Sequence, residues 1–450
     1  MSPRSPARHR SPGAVRLEFA DDMFARGHRG VGKPLVSQRV WRLDEPYDAE
    51  RLRRIADGLA RGRLSRRVRR AVLPGARDAW RHSGQAPVVT LGERPIEASG
   101  ALDWLAVRHA EPIDPHAGPA WRLAATDLDD GGALVSLTVA HAVADGAAIS
   151  DAVLAAATGA PTSPLPEPPT GLAGLRLEVR DAAGQVGAIA DWARARARAK
   201  RAGTLPAPSP APPHPAPTPD PSAVDWTPPR VVVEFDTEPV AAVAGRQGGS
   251  ANAWFIAVAA RLLDAIGHAA PRVPIPVSVP ISGFVPGDLR ANSTRIARVD
   301  VDREALAARD LAVVQSAAKA AYARVRDSGP GLSPVPLPLV QMLPDVLLRR
   351  VPQPPQAACL ASNLGILPAP LSRAMGDRVR AVSTSATVPH LAAEQAREMG
   401  GGLLVWHAST GARSTLTLIP AEPDRVPDAA AFAGLVRDEL ASWGVTSALW

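Results

Sequence analysis

Residues 133–151, ALVSLTVAHAVADGAAISD, join an apolar strand to a helix through a turn that carries a histidine and an aspartate. Ala133 to Ala140 hold no charge, and the turn signal Asp129-Asp130-Gly131-Gly132 precedes them, which is the pattern of a buried strand. His141 comes next, then three small or apolar residues, then Asp145 and Gly146. Residues 147–157 read as a helix of small residues. A histidine at the end of a strand is held rigidly, with its ring free to enter a cleft. Its ordinary pKa of about 6.5 leaves it substantially neutral at cell pH, so it can act as a general base. Asp145 is close enough to brace the turn or cap the next helix. Gly146 offers a backbone freedom that other residues resist.

Outward from this stretch, 450 residues suggest about three units by length alone, or one large α/β domain, or two packed lobes. Hydrophobic residues at 46% and charged residues at 21% are ordinary globular usage, so a sizeable core is expected. Aromatic residues are only 4%, so that core must lean on Ala, Val and Leu. The single cysteine, Cys359, excludes a disulfide framework or a multi-thiolate zinc site and suggests a reducing compartment. The basic, Pro/Ser-rich start has no apolar stretch behind it, and no run of about 18 apolar residues occurs. A soluble cytoplasmic protein is therefore expected, with membrane association left open but not indicated.

The net charge of +7 comes almost wholly from arginine, since lysine occurs only at positions 33, 200 and 319. Two clusters stand out, one from Arg51 to Arg70 and one from Arg194 to Arg201. No aromatics interleave with them, so nucleic-acid stacking is not supported. They read as solvated helix faces or as a landing site for phosphates or an acidic partner. Residues 27–33, GHRGVGK, match a phosphate loop only until Pro34 replaces the hydroxyl residue. No G-x-S-x-G elbow and no paired metal-ligand spacing appears, so no metal is expected.

Residues 1–15 read as a disordered tail. Residues 35–43 read as a strand, and Asp48 as the cap of a helix with Leu52, Ile55 and Leu59 at helical spacing. Residues 206–229 hold 11 of the 47 prolines and predict an extended connector between an N-terminal lobe, 16–205, and a C-terminal lobe, 230–450. The second half predicts a strand at 231–235, a helix at 252–266 and an extended Pro-punctuated segment at 273–281. A strand at 296–301, a helix at 303–326 and strands at 357–366, 403–406 and 415–419 follow, with a last helix at 428–443. His407 and Cys359 read as packing residues rather than as chemistry.

The turn with His141, Asp145 and Gly146 resembles the H-x-x-x-D-G motif of the CoA-dependent acyltransferase superfamily. That superfamily includes condensation domains of nonribosomal peptide synthetases and wax ester synthase/diacylglycerol acyltransferases. Many members carry two consecutive histidines; here Ala140 takes the first place and His141 the second. Residues 249–263 (GSANAWFIAVAARLL) resemble the family's Asn-containing helix start. Residues 274–300 resemble its P-V-S segment leading to an Asn and a strand, and residues 361–366 (SNLGIL) its Ser-Asn-x-Gly strand.

The resemblance implies a two-lobe α/β, chloramphenicol acetyltransferase-like fold, each lobe a mixed sheet flanked by helices, with an active-site tunnel between them. It implies His141 as catalytic base, Asp145 as a structural brace, Gly146 in the motif, and Ser362 and Asn363 as substrate or oxyanion candidates. The family's Asp usually pairs with an Arg of the second lobe. Phe284 stands near that place here, and Arg290 or Arg295 is left to supply the partner. No permanently bound cofactor is implied. The donor would be an acyl-CoA or a phosphopantetheine-linked acyl thioester on an acyl carrier protein, and the acceptor a small alcohol or amine. Three readings stand side by side: an acyltransferase, its narrower form as a wax ester or diacylglycerol synthase, and a noncatalytic condensation-like scaffold that binds a carrier protein.

Overall fold

The computed structural model describes residues 14–160, 165–204, 226–327, 335–350, 357–426 and 428–450. Residues 1–13 of the expected tail and 206–225 of the expected connector lie outside the described residues. In the first half, strands β1 (Val15–Arg16), β2 (Val36–Leu43), β3 (Arg66–Arg69), β4 (Ala79–His82), β5 (Val89–Leu91), β6 (Trp121–Asp127) and β7 (Ala133–Ala140) mix with five helices. These are α1 (Phe19–Gly27), α2 (Ala49–Arg61), α3 (Ala101–Ala110), α4 (Gly146–Thr158) and α5 (Gly171–Arg201). The second half adds strands β8 (Val231–Asp236), β9 (Ile275–Ser282), β10 (Thr294–Val301), β11 (Cys359–Ile366), β12 (Val379–Thr387), β13 (Leu403–Ser409), β14 (Arg413–Pro420) and β15 (Ser447–Leu449). Its helices are α6 (Thr237–Arg246), α7 (Ala251–Ala265), α8 (Arg303–Ala308), α9 (Leu311–Asp327), α10 (Leu337–Met342), α11 (Asp345–Leu348), α12 (Ala369–Ser372), α13 (Ala393–Glu398) and α14 (Ala429–Ser442).

A five-stranded sheet, β12-β2-β7-β6-β5, centres one lobe, and a seven-stranded sheet, β10-β9-β11-β13-β14-β8-β15, centres the other. Both are mixed: β5 runs parallel to β6, and β11 parallel to β13, while their other neighbours are mostly antiparallel. The sheets do not follow chain order strictly. Strand β12 comes from the second half but pairs antiparallel with β2, with Thr387 opposite Val36. Leu367, Leu371 and Met375 precede it into the core of the first lobe, beside Trp41, Leu52 and Leu137. One lobe thus carries a strand of the other's sequence.

Local chemistry explains the elements. The Asp48 carboxylate accepts from Glu50 N at 2.9 Å and Arg51 N at 3.0 Å, which starts α2. Leu52, Ile55, Ala56 and Leu59 bury one stripe of that helix. Helix α7 is buried nearly all round, from Ala253 to Leu263, and forms the centre of the second core. Strand β9 tolerates Pro276 and Pro280 because their missing amides fall on the edge that meets β11, where Ser278 opposite Leu360 is the one aligned pair. On its other edge β9 pairs with β10 over its whole length. The single helix expected over 303–326 is two. Arg309 adopts a left-handed φ of 56°, and Asp310 caps the next helix by accepting from Ala312 N and Val313 N. Among the described residues no helix is long and apolar enough to cross a membrane.

Candidate active site

Strand β7 delivers His141 to the edge of the first lobe. The His141 amide donates to Leu35 O at 2.9 Å, which ties the end of β7 to the residue before β2. Asp145 is only 2% exposed and caps α4: its Oδ1 accepts from Ala148 N at 2.9 Å. Its Oδ2 reaches the second half of the chain, accepting from Ser293 N at 2.9 Å and Thr294 Oγ1 at 3.0 Å. The Asp145 amide in turn donates to Ala291 O at 3.1 Å. One carboxylate therefore fastens the histidine turn to the segment that opens β10.

The residue between those contacts, Asn292, addresses the histidine itself. Its Nδ2 donates to Asp21 Oδ1 at 3.0 Å, His141 O at 3.1 Å and Ala142 O at 3.3 Å. Three acceptors around the amide nitrogen fix which way the side chain points. Oδ1 then lies 3.0 Å from His141 Nδ1. An amide oxygen only accepts, so Nδ1 must carry the proton, and Nε2 is the bare nitrogen of the neutral ring. Burial lowers the His141 pKa, opposed by its own backbone carbonyl, the Asp145 charge and the Asn292 contact. The ring is therefore neutral at pH 7. Phe24 packs against it with ring centres 4.8 Å apart.

Asp21 completes the chain of contacts. It is fully buried, accepts from both Asn292 N and Nδ2 at 3.0 Å, and takes the Trp80 indole N–H at 3.4 Å. Burial pushes its carboxyl up to about 6, against the Asn292 and Glu18 hydrogen bonds and the Arg66 charge. Sequence reasoning noted an asparagine in 274–300 without a role for it, and missed Asp21 and α1 altogether. The signal for Asp21 was slight: an acidic pair, Asp21-Asp22, amid apolar residues at helical spacing.

Several expectations are corrected by the geometry. Asp145 is satisfied without an arginine. Arg290 is bound instead to Asp288, with Nε at 2.8 Å from Oδ2, and to Gly283 O. Arg295 is exposed and follows Thr294 in β10, so strand alternation turns it away from Asp145. A backbone amide and a hydroxyl meet the carboxylate oxygen where an arginine was expected. Gly146 does not need unusual backbone freedom. Its φ is not positive, and a Cβ there would meet nothing within 4 Å. Gly146 borders the same cavity as His141. Phe284 lies under the Arg63 guanidinium, 4.9 Å from its ring centre.

Ser362 and Asn363 separate. They are neighbours on β11 and point to opposite faces. Ser362 borders the cavity that His141 also borders. Asn363 faces α7 instead, where its Nδ2 donates to Asn252 Oδ1 and its Oδ1 lies 2.8 Å from His407 Nδ1. Asn363 is thus withdrawn as an oxyanion donor. Part of the first arginine cluster is used by the fold. Arg66 is fully buried and donates to Arg63 O and Leu289 O, Arg63 pairs with Asp151 at 3.1 Å, and Arg69 binds Pro168 O and Pro169 O. Arg53, Arg54, Arg61 and Arg70 of the same cluster are exposed. The second cluster ends the long helix α5 and is solvated there.

A cavity of about 1020 Å³ lies between the lobes. His141, Asp145 and Phe24 border it from the first half, and Asn292, Ser362 and Trp406 from the second. Most of its wall is apolar. No protein-family model matches the chain, and no curated protein matches it in sequence. Solved structures do match. The first condensation domain of the calcium-dependent antibiotic synthetase, in complex with a substrate analogue, aligns over 96% of this chain and 96% of its own, with TM-score 0.58 and 15% identity. The condensation domain of the Monacolin K polyketide synthase MokA aligns over 96% and 97%, with TM-score 0.57 and 13% identity. The wax ester synthase/diacylglycerol acyltransferase of Marinobacter aquaeolei VT8 aligns over 95% and 98%, with TM-score 0.54 and 14% identity. The chain therefore shares the two-lobe fold of these condensation domains.

Proposed function

We propose that the chain is an acyltransferase, moving an acyl group from a CoA or carrier-protein thioester to a hydroxyl or amine, with His141 as general base. The observation that carries this reading is the Asn292 contact, which holds the proton on Nδ1 and leaves Nε2 bare in a ring that borders the inter-lobe cavity. The acceptor O–H or N–H gives its proton to Nε2 as its heavy atom attacks the thioester carbonyl. The tetrahedral intermediate collapses, the C–S bond breaks, and the departing sulfur takes the proton back from Nε2. The ester or amide leaves and the histidine returns to its starting state. A positioned base of this kind is worth about 10²–10⁴ in rate. The oxyanion needs a donor, and the Ser362 hydroxyl, across the cavity from the first lobe, is assigned that place. Asp145 holds the turn and does not relay charge. The apolar wall suits an acyl chain, and the fold shared with a wax ester synthase and with condensation domains supports the reaction class.

The test is free-thiol release from a panel of acyl-CoAs, with alcohol and amine acceptors and mass detection of the product. Turnover that disappears with His141→Ala supports the proposal. Turnover that survives that change overturns the role of His141. A folded wild type that binds carrier protein but never releases thiol would favour the scaffold reading.

A further inference from the structure

The cavity has a second polar patch that acyl transfer at His141 leaves unused. Arg230, the residue before β8, borders it with His109, Thr387 and His390. The guanidinium is positioned by a buried partner: Nη1 donates to Gln38 Oε1. Gln38 is 1% exposed, and its Nε2 donates to Leu105 O and Ser136 Oγ, both at 2.9 Å. Those two bonds leave Oε1 facing Arg230, so the arginine has a fixed but neutral anchor. No carboxylate among the described residues pairs with it; burial alone lowers its pKa to about 10, with no acidic neighbour opposing. The two acids bordering the cavity are committed elsewhere. Glu111 pairs with Arg108 at 2.7 Å, and Asp145 is held by Ser293 and Thr294. His109 brings no charge, since burial and the Arg230 charge push it down to about 3, and its Nε2 lies 2.9 Å from Thr387 Oγ1. A guanidinium on a largely apolar wall without an anion is costly, and an anion in the cavity would remove the cost.

We infer that Arg230 is the anchor for an anionic oxygen group, a carboxylate or a phosphate, on a molecule that occupies this cavity. A guanidinium takes two such oxygens side by side, which would fix the molecule's direction in the cavity as well as its affinity. This rests on the acyl-transfer reading in one respect: the anion then belongs to one of the two substrates. It is either a carboxylate on the acyl chain or acceptor, or the phosphate of a pantetheine arm.

The test is calorimetric titration of the full chain with two matched pairs, decanoate against decanamide and 4′-phosphopantetheine against pantetheine. The expected result is that the anionic member of at least one pair binds about tenfold tighter or more, as for hydrogen bonds to charged groups. Preference within the first pair assigns a carboxylate, and within the second the donor's phosphate. Arg230→Gln should abolish the preference while the neutral member still binds, and Arg230→Lys should keep part of it. Equal affinity within both pairs, no binding by any of the four, or a preference that survives Arg230→Gln overturns the inference. His141→Ala must leave the preference intact. A wild type that shows the preference yet never turns over would defeat the acyl-transfer reading and leave the anion site standing.

Discussion

Two histidines in this molecule are built alike and placed differently. His141 has Nδ1 at 3.0 Å from Asn292 Oδ1 and a phenylalanine ring, Phe24, beside it. His407 has Nδ1 at 2.8 Å from Asn363 Oδ1 and Phe255 beside it, ring centres 5.7 Å apart. Burial lowers both, His407 to about 4. The first sits on a turn after β7 and borders the cavity; the second sits within β13 on the face that packs on α7. Behind Asn292 stands a buried carboxylate, Asp21, whereas behind Asn363 stand the neutral Asn252 and Tyr322. The same His–Asn pair thus borders the cavity in one lobe and packs against a helix in the other. On the proposed reading, access to the cavity, not the pair itself, decides which histidine acts as base.

The comparison can be broken most sharply by removing each imidazole. His141→Ala should cost about 10²–10⁴ in turnover. His407→Ala should leave turnover of the same order and instead lower the melting temperature. Comparable turnover losses from both would erase the distinction. Next come the two asparagines. Asn292→Ala frees the His141 tautomer and should lower kcat by up to about a hundredfold with little change in KM. It also leaves Asp21 short of donors, at about 1–3 kcal/mol in stability. Asn363→Ala should cost stability alone. A smaller effect is expected at the Asp145 clamp: Thr294→Val should lower kcat severalfold, while Arg290→Ala should not. Activity that responds to Arg290 and not to Thr294 would reinstate the arginine pairing.

The smallest effect is on the pH dependence of stability. His109 and His407 have folded pKa values of about 3 and about 4, below their ordinary 6.5. The unfolded chain takes up protons on them as pH falls below about 6.5, and the native state refuses them until far lower. Their contribution to stability is therefore full above that pH and declines toward pH 4. Melting temperature should fall over this window, and less steeply in His407→Gln. An identical slope in the two proteins would contradict the shift at His407.

Much of this was legible in the sequence because the signals were apolar and periodic. The strand at 133–140, the helix capped by Asp48 and the interior helix near 252–266 show themselves by pattern. Strand β12 did not, because its buried positions other than Val382 are small or hydroxylated. Ser383 Oγ meets Thr417 Oγ1 at 2.9 Å, and Thr415 Oγ1 donates to Val382 O, so the strand packs through hydrogen bonds rather than aliphatic bulk. At the site, His141 and Asp145 were legible as residue types at a telling spacing. Asp145's true partners were not, since a backbone amide leaves no mark in a sequence. Asp21 was hidden because an acidic pair reads as surface, whereas here the asparagine's amide groups and an indole offset part of the cost of its burial. Alternation along β11 could have told Ser362 from Asn363 had the cavity face been known.

The proposed role of Asn292 is to keep the proton on Nδ1 of His141 and leave Nε2 to act as base. It is tested most directly by ¹⁵N chemical shifts of the histidine rings across pH, with His141 assigned by its absence in His141→Ala. The expected result is a neutral Nδ1–H ring at pH 7, a pKa below the ordinary histidine value, and a mixture of tautomers in Asn292→Ala. A neutral ring protonated on Nε2, or a ring still charged at pH 7, would contradict it.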